Sequence, residues 1–184
     1  MRKIKALDSR ALRCMNAQLI TYHGGEYDPR TAGMRDVNVL HELTVDGQAL
    51  AREMSATYPP GPKGKDEHDK PLPDPVAPML DDVARLAAFY LCSIIELAPF
   101  SDGNLRTAWD AARTVLRLNR PNIALVDTRV DPQLIYRLLV GVKSGTFATE
   151  HVTGLFHHLL TRACEVEAGM ALADEKDRQL AKSA

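Results

Sequence analysis

The stretch Ala98-Pro99-Phe100-Ser101-Asp102-Gly103-Asn104-Leu105-Arg106-Thr107-Ala108-Trp109 lies between two apolar runs, and its reading decides the fold. Before it, Leu80 to Leu97 sets Leu80, Val83, Ala84, Ala87, Leu91, Ile94 and Ile95 almost all round a helix, the pattern of a helix at a domain centre. After it, Asn104 to Leu118 has the composition of a second helix, ended by Asn119, Arg120 and Pro121. The loop between them carries unusual chemistry for a corner. Gly103 permits close backbone approach, and the first amides of the next helix, at the positive end of its dipole, suit an anion. Arg106 adds a planar cationic fork in the first turn. Asp102 is placed to hold a hard cation, since magnesium needs only one or two carboxylates. Phe100, alternating with Ser101, is expected to point inward and anchor the loop. Together these parts suit a nucleoside di- or triphosphate. On Asp-Gly-Asn alone, an ordinary corner with Asp102 as a helix cap is an equally physical reading.

Working outward, the spacing predicts a first helix from Ser9 to Tyr22, capped by Asp8 or Ser9, with Leu12, Met15 and Leu19 on one face and Gly24-Gly25 as its stop. Met34 to Leu40 alternates roughly polar and apolar, which predicts a short strand or hairpin, and Gln48 to Thr57 a brief helix. Tyr58 to Pro78 holds most of the chain's 11 prolines and reads as a surface excursion inside one domain. Asn122 to Val126 reads as a short extended piece. Asp131-Pro132 opens a helix to about Lys143, and Thr149 starts a last one to about Glu165. The expectation is an all-α domain over residues 1–168 with a short β-hairpin flap, followed by a polar tail at 169–184.

At 184 residues and 45% hydrophobic, the chain supports one domain with a real core, and at 5% aromatic that core must be mainly aliphatic. Lys and Arg total 23 against 24 Asp and Glu, with no basic block, so nucleic acid is not an expected partner. No apolar run spans a membrane, and no stretch of signal-peptide length follows Met1-Arg2-Lys3-Ile4-Lys5. Cys14, Cys92 and Cys164 are odd in number and lack CxxC spacing, so a reducing cytoplasm is the expected location.

The full string from Ala98 to Arg106 resembles the Fic/Doc signature, His-x-Phe-x-Asp/Glu-Gly/Ala-Asn-Gly/Lys-Arg, with alanine at the histidine position. Outside it, Asp8 to Gly25, Arg117-Leu118-Asn119, and Leu134 to Leu159 with Gly141, Gly145 and Thr146 to Val152 look like the Doc, or death-on-curing, toxin branch. The resemblance implies transfer of a phosphate or nucleoside monophosphate from ATP or another nucleoside triphosphate, with Mg2+, to a hydroxyl of a host protein. For the Doc branch, that target is elongation factor Tu. By the same resemblance Asp102 would be the magnesium ligand, Gly103 and Asn104 the phosphate turn, and Arg106 the partner of the phosphate oxygens. Ala98 occupies the position of the catalytic general base and cannot take a proton, so this form is expected to be inactive.

Two further positions depart from the pattern. Leu105 stands where adenylyl-transferring members have glycine and Doc has lysine. Trp109 stands where those adenylyl-transferring members have a second arginine, a loss shared with Doc; it is read as core or pocket wall ahead of base stacking. Thr161 to Glu165 has part of the family's inhibitory-helix spacing, but Val166 follows, so a separate antitoxin is the expected inhibitor. Ala98 itself is read as an engineered replacement ahead of natural degeneration, because the phosphate-holding residues are intact. The alternative is a naturally degenerate, non-catalytic module that binds a nucleotide or a protein. His151, His157 and His158 lack the i, i+4 spacing of a helical metal pair.

Overall fold

The chain's computed structural model describes residues 4–25, 33–57, 78–120 and 130–183, and among these it forms six helices. They are α1 (Ser9–His23), α2 (Val37–Ala56), α3 (Pro78–Leu97), α4 (Asn104–Asn119), α5 (Pro132–Lys143) and α6 (Thr149–Ser183). The expected all-α class is what the structure shows. The proline-rich excursion at 58–77 and the extended piece at Asn122 to Val126 lie outside the described residues.

Helix α3 is the axis of the domain. Val83, Ala84, Leu86, Ala87, Ala88, Tyr90, Leu91 and Ile94 have no exposed surface, so this helix is covered on nearly every side. It packs chiefly on α4 and α6, and also on α2 and α5, while α1 leans on α4. Close packing of α3 and α4 follows from the small residues on one stripe of α4: Ala108, Ala111 and Ala112 are fully buried beside Val115. The loop 98–103 is thus suspended between the two most tightly packed helices.

The hairpin expected over Met34 to Leu40 is not formed. Val37 already lies in α2, and only Met34 makes an isolated antiparallel bridge, to Phe100. The Asp36 carboxylate accepts from the amides of Asn38 and Val39, so a helix cap stops the extended backbone after two or three residues. Behind that cap Leu40, Leu43, Gly47, Ala51 and Met54 recur at helical spacing and are buried. The brief helix expected at Gln48 to Thr57 is therefore the second half of a 20-residue helix. Likewise α6 passes the expected end near Glu165 and continues to Ser183, because no glycine or proline stop follows Gly169.

Tyr90 joins the amino-terminal segment to this frame. Its buried hydroxyl donates to the Leu7 carbonyl (2.8 Å) and accepts from the Leu7 amide (3.1 Å). Burial pushes its ionisation up to about 12 from 10.0, against the smaller opposing effect of the Leu7 hydrogen bond. A phenol whose folded value is raised contributes fully below pH 10, and the contribution is lost as pH rises from there through about 12. Two pH units correspond to roughly 2–3 kcal/mol. Tyr90→Phe should cost ~1–3 kcal/mol at neutral pH by leaving both Leu7 groups unpaired. In urea titrations at pH 9 and pH 11.5, the parent should lose more stability between the two than the variant does; parallel losses would refute this account.

Candidate active site

The loop leaves α3 through a strained residue. Ala98 has φ +45, the left-handed region, and among the described residues it is the one non-glycine there. Its amide still bonds Ile94 of α3 (3.1 Å), and the next carbonyl, of Pro99, accepts from Arg35 (2.8 Å) and Asp36 (3.2 Å). Ser101 donates to the Gly33 carbonyl (3.0 Å), so residues 33–36 clamp the loop from one side. Such a backbone persists only when its surroundings over-determine it, and outliers of this kind gather at functional sites. Ala98 is half-buried, between exposed Leu97 and buried Pro99.

Phe100 is 1% exposed and anchors the loop in the core. Asn104 locks it from the other end: its side-chain amide donates to the Phe100 carbonyl (2.8 Å) and its oxygen accepts from the Phe100 amide (3.1 Å). The Asn104 side chain is therefore spent on loop shape, and its contribution to any phosphate contact is through the backbone. Gly103 is the N-cap of α4, at φ 75 and ψ 11, with no side-chain cap hydrogen bond. One Asp102 carboxylate oxygen accepts from the adjacent Gly103 amide. With a glycine at the N-cap, the cap residue itself supplies no side chain to the first-turn amides of α4, an arrangement an anion fits.

Opposite that turn stands the end of α1. Arg106 donates to the Gly24 carbonyl (2.9 Å). A Cβ on Gly25 would lie 2.6 Å from an Asp102 carboxylate oxygen and 3.3 Å from an Arg106 guanidinium nitrogen. Asp102 and Arg106 consequently both approach Gly25 closely, which a residue with a side chain would not allow. Gly103 is constrained on the other side, since a Cβ there would meet the Asn16 amide nitrogen at 3.2 Å and Ile20 at 3.5 Å.

Residues 6–116 match the Fic/DOC family, more than half of the chain and all of the loop just described. The chain belongs to the Fic/DOC family. No curated protein sequence matches it significantly. Within the Fic/DOC signature, the structure brings Ala98, Phe100, Asp102, Gly103, Asn104 and Arg106 into one loop and first turn. Leu105 and Trp109 are both half-buried against the hydrophobic core, and the Trp109 ring lies 6.2 Å from that of Phe156 in α6. Asn16 was not legible as part of the site. It lies in the buried stripe Leu12, Asn16, Ile20 of α1, where a polar residue hides the apolar period.

Other groups stay apart from the loop. His157 approaches Asp81 at 2.6 Å and Thr161 at 3.3 Å, and no cluster of metal-ligating side chains occurs among the described residues. Cys14, Cys92 and Cys164 are unpaired thiols, and burial raises the ionisation of Cys92. An open groove of about 380 Å³ between α2, α3 and the start of α6, lined by Leu50, Arg85, Phe89, Thr149, Glu150 and Thr153, contains no signature residue. No helix among the described residues is long and apolar enough to cross a membrane.

Proposed function

We propose that this chain is the toxin of a Doc-like toxin–antitoxin module. Its catalytic form passes a phosphate or nucleoside monophosphate from ATP or another nucleoside triphosphate to a hydroxyl of a host protein, and Ala98 leaves the present form without a general base. The observation that carries the reading is the convergence of three groups: the first turn of α4 behind its glycine N-cap, the Asp102 carboxylate, and the Arg106 guanidinium, the last two meeting at Gly25. Each suits part of a polyphosphate, and the family membership supplies the reaction class.

Magnesium fits these residues. Asp102 offers one carboxylate beside the first turn of α4, and Gly25 admits that carboxylate and Arg106 side by side where a larger residue would displace them. Bound there, the ion would neutralise charge on the phosphate oxygens. Arg106 would hold and orient those oxygens, while Gly103 and the amides of Asn104 and Leu105 would bind the phosphate from the helix end. Trp109, packed on Phe156 where adenylyl-transferring members place a second arginine, favours the Doc-like branch. Glu165 pairs with Arg162 at 2.9 Å and finds no arginine at position 109, which favours a separate antitoxin over an internal inhibitory helix. The unpaired thiols suit a cytoplasmic setting.

The protein as it stands tests the cradle. Calorimetry should detect ATP binding that is strengthened by Mg2+ and retained by inorganic triphosphate but lost with adenosine. Heats no greater for ATP than for adenosine would sink the proposal. The second reading, a non-catalytic module that binds a nucleotide or protein, rests on Ala98, and restoring the base separates the two.

A further inference from the structure

We propose that Asn16 is a positioning residue that fixes the Asp102–Gly103 peptide, and through it the metal-binding carboxylate, from inside α1. This deepens the nucleotide reading and rests on it for its functional consequence.

Asn16 is 1% exposed, between Leu12 and Ile20 on the buried face of α1. Its side-chain nitrogen donates to the Asp102 carbonyl (2.9 Å) and to the Thr107 hydroxyl (3.0 Å). A carbonyl only accepts, so the nitrogen end of the amide must face Asp102, and the orientation follows from chemistry. The Asp102 carbonyl and the Gly103 N–H belong to one planar peptide unit. Asn16 holds the oxygen end of that plane, and the Asp102 carboxylate accepts from its N–H end. Turning the peptide would therefore move the carboxylate. Gly103 packs directly on the same amide, which leaves the peptide no room to rotate toward α1.

Packing alone does not explain this contact. Among the buried polar residues described, Thr44 and Ser55 donate to carbonyls of their own helix, and Ser55 also accepts from the Ile4 amide (2.9 Å). Asn16 and Thr107 instead bond each other across two helices. The Asn16 oxygen has no hydrogen-bond partner among the described residues, an arrangement that costs stability where an aliphatic side chain would not. A buried amide that leaves its own oxygen unpaired while fixing a loop carbonyl is the pattern of a functional site.

The test compares Asn16→Ala with the parent, both as full chains. Calorimetry with ATP, in Mg2+ and in EDTA, reads the site, while thermal melting and amide exchange of residues 101–105 without ligand read the fold and the loop. Loss of a group that orients a metal ligand is expected to weaken Mg2+-dependent binding by ~10-fold. Binding in EDTA should change less than twofold, the melting temperature should fall modestly because the Asp102 carbonyl and the Thr107 hydroxyl lose a partner, and the Gly103 amide should exchange faster. Unchanged loop exchange, or equal losses of binding with and without Mg2+, would overturn the proposal. Should Asn16→Ala not fold, Thr107→Val, which removes the second anchor of the Asn16 amide, decides by the same readouts with a smaller change in the same direction. If the parent binds no nucleotide, the cradle reading fails, and the exchange of the Gly103 amide still decides what Asn16 does to the loop.

Discussion

Ala98→His should raise label transfer from ATP to a protein hydroxyl by ~10²–10⁴-fold over the present form, the usual worth of a positioned general base. The backbone favours this substitution. Position 98 is left-handed, and histidine occupies that region several-fold more often than most residues, so the change adds no strain beyond what alanine already bears. The site is half-buried and borders exposed Leu97, which leaves room for an imidazole to meet a docked protein. Incubation with purified elongation factor Tu and with a bacterial lysate, using alpha- and gamma-labelled ATP in parallel, reads both the gain and the group transferred. Transfer of the gamma label alone would place the chain with Doc, and transfer of the alpha label with the adenylyl-transferring members. The restored activity should fall as pH drops through the ordinary imidazole range near 6.5, because the base is then protonated. Absence of transfer of either label, in a variant that folds and still binds Mg2+·ATP, would defeat the enzyme reading and leave the non-catalytic module.

The helices on either side of the loop were legible because their signals are local: apolar coverage all round α3, an alanine stripe on α4, Asp131-Pro132 before α5. The start of α2 was misread for a physical reason. Met34 to Leu40 overlaps a strand-like bridge and a helix cap, and alternation over so few residues cannot distinguish them. Within the site, the types and order of Asp102, Gly103 and Arg106 announced phosphate chemistry. The distribution of tasks did not: that Trp109 packs on Phe156, or that Gly25 faces both Asp102 and Arg106, depends on contacts far apart in the chain, and the Asn104 side chain bonds Phe100 four residues back only once the loop has its shape. Asn16 was hidden most completely, since one asparagine on a helix carries no signature until its 86-residue separation from Asp102 is closed by folding.

Leu105, a departure inside the signature, bears on the proposed phosphate site. Leu105 places an aliphatic side chain where either glycine or lysine would keep the turn polar, and it packs toward the core. The first turn of α4 therefore presents one cationic side chain of the signature, Arg106, and its helix dipole. That concentrates electrostatic recognition at a single residue.

Arg106→Ala should accordingly weaken Mg2+·ATP binding by ~10- to 100-fold, the range expected when charge-assisted hydrogen bonds worth ~1.5–3 kcal/mol are removed. Stability should change far less. The Arg106 contact with the Gly24 carbonyl is an exposed hydrogen bond, and such surface losses stay within about 0.5 kcal/mol. Separation of the two effects is what distinguishes a ligand-binding arginine from one that merely ties α4 to the end of α1. Arg106→Lys supplies the control: it keeps the charge but loses the planar fork, so it should recover part of the affinity and not all of it. Raising the salt concentration should weaken the parent more than Arg106→Ala, because screening acts on the charge that the variant lacks. Equal affinity of parent and Arg106→Ala by calorimetry would remove Arg106 from the cradle, and with it the reason for reading the meeting point at Gly25 as a phosphate site.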